Sequence, residues 1–344
     1  MNETHMAADV LPTGKLPLEM LTDLLRACPT ADPRVLVGAR VGEDAAVIDF
    51  GDRLLVAKSD PITFATDRIG WYAVHVNAND VAMTGAAPRW MLVTLLLPEG
   101  KATYADAQSI MAQVGAACAG LDIAVVGGHT EVTYGLDRPV LVGHMLGEVS
   151  RERLVTSGGA RAGDAVVLVG AVAVEGTALI AREFGEQARS RGVGEATLAE
   201  ARGYLDDPGI SVVRAARVTV ESVAVHAMHD PTEGGLATGL HEMAWAAGVG
   251  MRVDRDVIPV LPACRRLCDA FGLDPLGLIA SGALLVAVAP ADLPALEAAY
   301  RQAGMRWAHI GSVVPREEGL RYTAAGREAP LPRFDRDELT RLLA

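Results

Sequence analysis

The sequence predicts an α+β protein of two domains. Its 344 residues exceed what one hydrophobic core usually serves. Helical and strand periodicities alternate in both halves, with hairpin-length links in places, which departs from a strict βαβ repeat. Between two apolar stretches, residues 150–163 (SRERLVTSGGARAG) turn polar and glycine-rich. These features divide the chain into a disordered or tag-like N-terminus (1–15), a first domain (16–152), a second domain (153–315) and a surface tail (316–344).

The elements follow in order. LEMLTDLLRAC (18–28) has the apolar spacing of a short amphipathic helix, stopped by Pro29. AAVIDF and RLLVAK are strand-length runs separated by Gly51-Asp52, a hairpin-like turn. Residues 68–85 form a helical pattern whose apolar face reads Trp71, Val74, Ala78, Val81 and Ala82. Gly85 suits its C-terminal cap, and Pro88 follows. Then come a buried strand (90–98), a helix (103–121), a strand (123–128) and a long strand (139–149). The second half opens with strand 164–170, helix 175–185 and a charged helical region near 195–203. An apolar-polar stretch (210–227) leads to a helix at 236–248 and a short strand. Helix 262–271, strand 281–290, helix 292–304 and strand 307–314 complete the series.

Half of the residues are hydrophobic, only 4% are aromatic and 36 are glycine, so the chain can bury a large core. A formal charge of −12 and a pI near 5.1 exclude general nucleic-acid binding and attraction to anionic membrane surfaces. Cys264 and Cys268 share a helix face, and with no second Cys/His pair at zinc spacing they read as buried thiols in a reducing compartment. With no signal-like opening and no apolar run of membrane length, the expected location is cytoplasmic.

The chemistry concentrates in residues 41–89. Asp44 precedes AAVIDF; Asp60 follows LLVAK and precedes Pro61, so it is expected at an element's end. Asn79 and Asp80 interrupt an apolar helix and call for a partner. Three carboxylates gathered from two strand ends and a helix would make a hard, oxygen-rich site of the kind that holds Mg²⁺ with a polyphosphate. Taken singly, each Asp is also ordinary cap or turn chemistry.

Two glycine-rich stretches add to this. In VVGGHTEVTY, Gly127-Gly128 would free backbone N–H groups for an anion, and His129, Thr130 and Glu131 would stand beyond the strand end. The plain alternative is a tight turn. In HDPTEGGL, Asp230 and Thr232 make a turn and Gly234-Gly235 open a helix whose N-terminus suits phosphate, or Asp230 or Thr232 simply caps it. His226 and His229 have HxxH spacing, without a recognisable third metal ligand. The phosphate-binding GxxxxGK[ST], the dinucleotide GxGxxG, HExxH and GxSxG are all absent.

In this combination and order the motifs resemble the aminoimidazole ribonucleotide (AIR) synthase superfamily, which includes PurM, HypE, ThiL and SelD, with HypE the nearest. GEDAAVI at Gly42 resembles the family's G-D-D-A-A-V, and Ser59-Asp60 its T-D. Asn79-Asp80-Val81-Ala82 with Gly85-Ala86 and Pro88 resembles N-D-L-A-x-x-G-A-x-P. Residues 125–130 resemble the G-G-D/E/H-T/S motif, and residues 230–237 resemble D-P-T-R-G-G-L-A. The likeness spans roughly residues 16–314.

The resemblance implies a PurM-like fold whose N-terminal domain forms a β-barrel shared across a homodimer, followed by a C-terminal α/β domain. It implies ATP and Mg²⁺ as cofactors, with Asp44, Asp60 and Asp80 as metal or phosphate ligands and Asn79 in support. Gly42, Gly127, Gly128, Thr130, Asp230, Thr232, Gly234 and Gly235 would line the nucleotide. His129 and Glu131 are the candidates for acid–base work.

The implied reaction is phosphoryl transfer or carbonyl activation on a small molecule or an unidentified protein partner, without nucleic acid or membrane. Against HypE itself, Glu131 replaces Lys, Glu233 replaces Arg and Ser281 replaces Glu, and no Cys follows Cys268. A nucleotide-binding dimer without catalysis is the rival reading, and a HypE-type hydrogenase maturation factor a third. SelD's N-terminal Cys or selenocysteine segment has no counterpart here.

Overall fold

A computed structural model of the chain describes residue 16 and residues 18–27, 31–62 and 67–343. The N-terminal segment 1–15, expected to lie outside the fold, falls outside the described residues, as does Cys28. The first half comprises α1 (Leu18–Arg26), β1 (Val35–Val37), β2 (Ala46–Asp49), β3 (Leu54–Ile62), α2 (Ile69–Met83), β4 (Ala87–Pro98), α3 (Tyr104–Gly120), β5 (Ala124–Thr133) and β6 (Val140–Val149). Its strands form one six-stranded sheet in the order β1-β2-β3-β6-β4-β5, antiparallel except for β4 with β5.

The second half comprises β7 (Ala165–Val169), α4 (Val174–Glu183), α5 (Gly185–Ser190), α6 (Glu195–Gly203), α7 (Val213–Ser222), β8 (Val225–His229) and α8 (Gly235–Ala247). It continues with β9 (Gly250–Asp254), α9 (Pro262–Phe271), β10 (Leu284–Val288), α10 (Leu293–Gln302), β11 (Trp307–Val314), β12 (Leu320–Ala324) and β13 (Arg327–Pro330). The seven-stranded sheet runs β13-β12-β9-β11-β7-β10-β8, with β12 parallel to β9 and the other pairs antiparallel. Helices and strands are mixed within each half, as the α+β reading requires. The connection between β6 and β7 holds the polar stretch where the sequence placed the domain boundary. No helix among the described residues is long and apolar enough to cross a membrane.

Helix α2 is the centre of the first half. It is apolar around most of its circumference, which is the pattern of a helix buried on all sides. It lies across β3, β4 and β6 on one side and against α3 and α7 on the other. Close approach to β6 depends on Gly143 and Gly147, where a Cβ would meet the side chains of Asn77 and Val81. Helix α3 starts at a reciprocal cap: Thr103 Oγ1 accepts from the Asp106 N–H (3.2 Å), and Asp106 Oδ2 accepts from the Thr103 N–H (2.7 Å).

Three expectations change. Strand β3 does not end at Asp60 but runs through Pro61 to Ile62. Beyond Ala57 it pairs only with β6, and a strand free on one side is where a sheet accommodates proline. The strand expected to end at Gly128 continues to Thr133, because the long β4 offers partners along its length: Gly127 faces Leu92, and Glu131 faces Leu96. Residues 127–131 are therefore strand, not a turn beyond one. The surface tail expected from residue 316 supplies β12 and β13, and it buries Leu331, Asp337, Glu338 and Leu339.

The halves meet at α2. Asn79 Nδ2 donates to the Ile210 carbonyl (2.8 Å), and its Oδ1 accepts from the Val212 N–H (2.9 Å), all buried. The side chain expected to support a metal therefore acts as a clamp between the halves. Asn79→Ala would strand that N–H and C=O, at about 1–3 kcal/mol each. Urea unfolding is expected to record a loss of ~2–6 kcal/mol; an unchanged midpoint would refute the clamp.

Candidate functional site

Beside this clamp, three acidic side chains from three elements converge. Asp80 comes from α2, one residue after Asn79; Asp44 comes from the turn into β2; Asp230 follows the last residue of β8. Each offers an oxygen, and these oxygens all lie within 4.8 Å of one another. Asp80 is 4% exposed and Asp230 2%. Both Asp230 carboxylate oxygens are buried without a hydrogen-bond partner, a costly state for a charged group. Burial and the neighbouring Asp80 and Asp44 push the Asp230 carboxyl well above the carboxylate range. Burial also raises Asp80, to about 6, although Lys58 pulls the other way.

Two cations offset part of this charge. Lys58 Nζ lies 2.7 Å from Asp80 Oδ2 and 3.5 Å from Asp60 Oδ2. Burial would lower the lysine pKa, but Asp80 and Asp60 prevail and hold it above its ordinary value. His229 sits between two acids, with Nδ1 2.9 Å from Asp44 and Nε2 2.9 Å from Glu242 on α8. Burial alone would lower its pKa; Asp44 and Glu242 together raise it well above the ordinary histidine value. Ser157 Oγ lies 3.0 Å from both Asp44 Oδ2 and the Met228 carbonyl, tying the turn before β2 to β8.

The donor set suits a hard divalent cation. Carboxylate oxygens within 4.8 Å of each other are within reach of an ion with ligand distances of ~2.1–2.6 Å. The unpartnered oxygens of Asp230 are the observation that such an ion would explain. No comparable group of His, Cys, Asp or Glu occurs elsewhere among the described residues.

The other expected residues sit differently. Asp60 is outside the three-carboxylate group, facing Lys58. Gly42 packs on α8, where a Cβ would crowd Ala246 and the Glu242 carbonyl. His129, Thr130 and Glu131 lie on β5, the exposed edge of the first sheet; His129 Nε2 and Glu131 Oε2 are 3.3 Å apart in the open. Registered across β6 and β4, Gly128 stands three strands from Asp60, or ~14 Å at the usual spacing. Gly127 and Gly128 are ladder residues beside Leu92 and Val93.

At the start of α8, the Gly234 N–H already donates to Asp337 Oδ2 (2.7 Å). Gly235 is glycine because a Cβ would strike the Leu276 and Leu278 carbonyls, and the Thr232 carbonyl accepts from the Gly235 and Ala280 N–H groups. Here the glycines serve packing, and a carboxylate already holds the anion position.

Sequence reasoning missed Lys58, Ser157, Glu242 and Asp337. Only Lys58 left a local signal: Leu54, Val56, Lys58, Asp60 and Ile62 share one face of β3, which places a lysine among inward-facing positions. The HxxH pair lies on a strand, not a helix, and divides between partners. His226 Nδ1 lies 2.9 Å from Asp164 while His229 turns to Asp44, so the two do not share a metal.

With this geometry in hand, comparison with known proteins defines the class. The chain matches the AIR synthase related protein N-terminal domain over residues 42–149 and its C-terminal domain over residues 161–322. It is 33% identical over 297 residues to the carbamoyl dehydratase HypE of Cupriavidus necator, covering 82% of this chain and 79% of that protein. A putative hydrogenase expression/formation protein of Methanocaldococcus jannaschii is 28% identical, with 81% of each chain covered. The crystal structure of hydrogenase maturation protein HypE in complex with ATP superposes with a TM-score of 0.69 at 27% identity, covering 90% of this chain and 92% of that one. The chain belongs to the AIR synthase related family.

Two outcomes follow from the carboxylate group. Asp230→Asn removes a carboxyl buried beside two other acids with both oxygens unpartnered, so in EDTA its Tm is expected to rise by ~2–5 °C, while any Mg²⁺-dependent stabilisation disappears. Asp80 binds its proton more tightly folded (about 6) than at its ordinary 3.8. The folded state therefore holds more protons between these values, and metal-free stability should increase as pH falls from 7 to 5. Thermal melts across that range test this; an increase that survives saturating Mg²⁺ would count against the group as its source.

Proposed function

We propose that the chain is an ATP-dependent enzyme whose nucleotide phosphates are held through a divalent cation at Asp44, Asp80 and Asp230. The observation that carries this reading is the convergence of three acids, two of them buried, with the two oxygens of Asp230 left unpartnered. The relatives support it: one solved HypE structure holds ATP, and the C. necator relative is named a carbamoyl dehydratase.

Mg²⁺ bound there would neutralise phosphate charge and polarise the transferred phosphoryl group. The chain's own residues would do the rest. Lys58 adds a fixed positive charge beside the phosphates. His229, clamped by Asp44 and Glu242, keeps the Asp44 carboxylate oriented, and Ser157 holds its other side. Burial at the seam between the halves limits water at the reacting oxygen. The reaction class is phosphoryl transfer to, or activation of, a carbonyl or related oxygen on a small molecule or protein-borne group.

Homodimerisation is part of the reading. The edge strand β5 exposes Val125, Val126 and Val132, with Tyr134 just beyond its end. A second copy covering this edge would bury these side chains and bring His129 and Glu131 out of solvent. Val126→Lys combined with Val132→Lys is expected to shift the light-scattering mass from two chains to one. A wild-type protein that is already monomeric would remove this part of the reading.

A second reading, nucleotide binding without turnover, is favoured by one contact: Asp337 fills the Gly234 N–H position that a phosphate would otherwise take. ATP with Mg²⁺ at 100-fold its Kd should stabilise the protein by about 2.7 kcal/mol, and ATP with EDTA should not. Release of ADP or phosphate with candidate carbamoyl or phosphate-accepting substrates separates the readings. Stabilisation with no turnover favours the second, and no stabilisation overturns both.

A further inference from the structure

Four aspartates surround the seam, yet only three bring oxygens together. The fourth, Asp60, faces Lys58. We infer that Lys58 is a resident cation standing where a second divalent ion would bridge Asp60 and Asp80, so that the site takes a single divalent ion, between Asp44, Asp80 and Asp230. The inference rests on the metal-binding reading above and deepens it by assigning the number of ions and a separate role to Asp60.

The geometry begins with β3. Lys58 and Asp60 are two residues apart on one strand and therefore share a face, the same face that buries Leu54, Val56 and Ile62. Beyond Ala57 the strand has a ladder partner on one side only. The lysine stem lies along this inward face, and its ammonium meets Asp80 from α2 at 2.7 Å and Asp60 at 3.5 Å. Three-quarters of the Lys58 side chain is out of solvent. A buried ammonium must keep its partners, and both of those within ion-pair distance are carboxylates. A bridging metal ion would use the same two carboxylates from the same side.

Displacing Lys58 to admit a second ion would break both contacts and leave the ammonium without a counter-charge inside the seam. Asp80 Oδ2 meets the lysine at 2.7 Å, and Asp80 also offers an oxygen within 4.8 Å of those of Asp44 and Asp230. Asp60 becomes a lysine-positioning residue and not a metal ligand. Lys58 stands at ion-pair distance from Asp80 and Asp60, and its ammonium, with three donors, would also meet an anionic oxygen brought in by a nucleotide. One divalent ion and one lysine would then share the work that two ions do in two-metal phosphoryl-transfer sites.

The test counts ions without nucleotide, so that ATP does not carry its own. Mn²⁺ is titrated into the full-length protein, and free Mn²⁺ is read from its electron paramagnetic resonance signal. Wild type is expected to bind one Mn²⁺ per chain at the seam, as is Asp60→Asn, because Asp60 does not hold the ion. Lys58→Met, similar in length and uncharged, is expected to bind two, a twofold rise; Asp230→Asn is expected to lose the ion.

Two ions on wild type, one ion on Lys58→Met, or loss of the ion in Asp60→Asn would overturn the assignment of Lys58 while leaving a metal site in place. No Mn²⁺ on wild type would overturn the metal reading and the inference with it. If Lys58→Met does not fold, the wild-type count and the Asp60→Asn count still decide.

Discussion

Like charge buried at a seam is the constraint around which this structure is arranged. Asp44, Asp80 and Asp230 come from two different sheets and the helix between them, and bringing them within 4.8 Å opposes folding unless positive charge is supplied. Lys58 and His229 supply part of it, each bracketed by two acids. Both lie on strands, Lys58 within β3 and His229 at the end of β8, so strand register places the cations as firmly as it places the core. Asp230, left with no partner, marks the position where protein-supplied charge runs out.

The same helix that brings Asp80 also joins the halves. Asn77, Asn79 and Asp80 look like a run of misplaced polar residues in an apolar helix, yet each faces a different neighbour. Asn77 bonds the Asp60 and Ala73 carbonyls, Asn79 bonds the Ile210 and Val212 backbone, and Asp80 meets Lys58. Ligand placement and domain packing are thus adjacent on one turn of α2, and a shift of that turn would disturb both together.

Two of the three converging aspartates, Asp44 and Asp80, were legible in the sequence because each sits in a polar notch beside an apolar run; Asp230 was expected only at a phosphate-side turn, and Asp60 was expected in its place. Their company was not. Asp44 and His229 are 185 residues apart, Asp44 and Ser157 113, and no local pattern announces contacts of that range. Asp60 was misplaced for a simpler reason: the proline after it suggested a strand end, whereas a one-sided strand tolerates proline. Glycine misled most. Gly-Gly before a helix can present N–H groups to phosphate or let two backbones touch, and the sequence does not distinguish these. At Gly235 the crowding carbonyls of Leu276 and Leu278 decide for packing, and at Gly128 the adjacent Val93 backbone does. The overall α+β order survived these errors because it depends on periodicity over many residues, which a single turn does not alter.

Because two of the converging acids belong to the first half and one to the second, any cation held among them also ties the halves together. The Asn79 clamp makes the same connection without a ligand, so the halves are already close when the ion arrives and little ordering remains to be done. Preorganisation of this kind lowers the cost of binding. The protein's own charges already meet two of the positions an added ligand could use, Asp337 at the Gly234 N–H and Lys58 at Asp80. Asp230 is the carboxyl they leave unpartnered, so the charge balance of the seam is completed on the side of the second half.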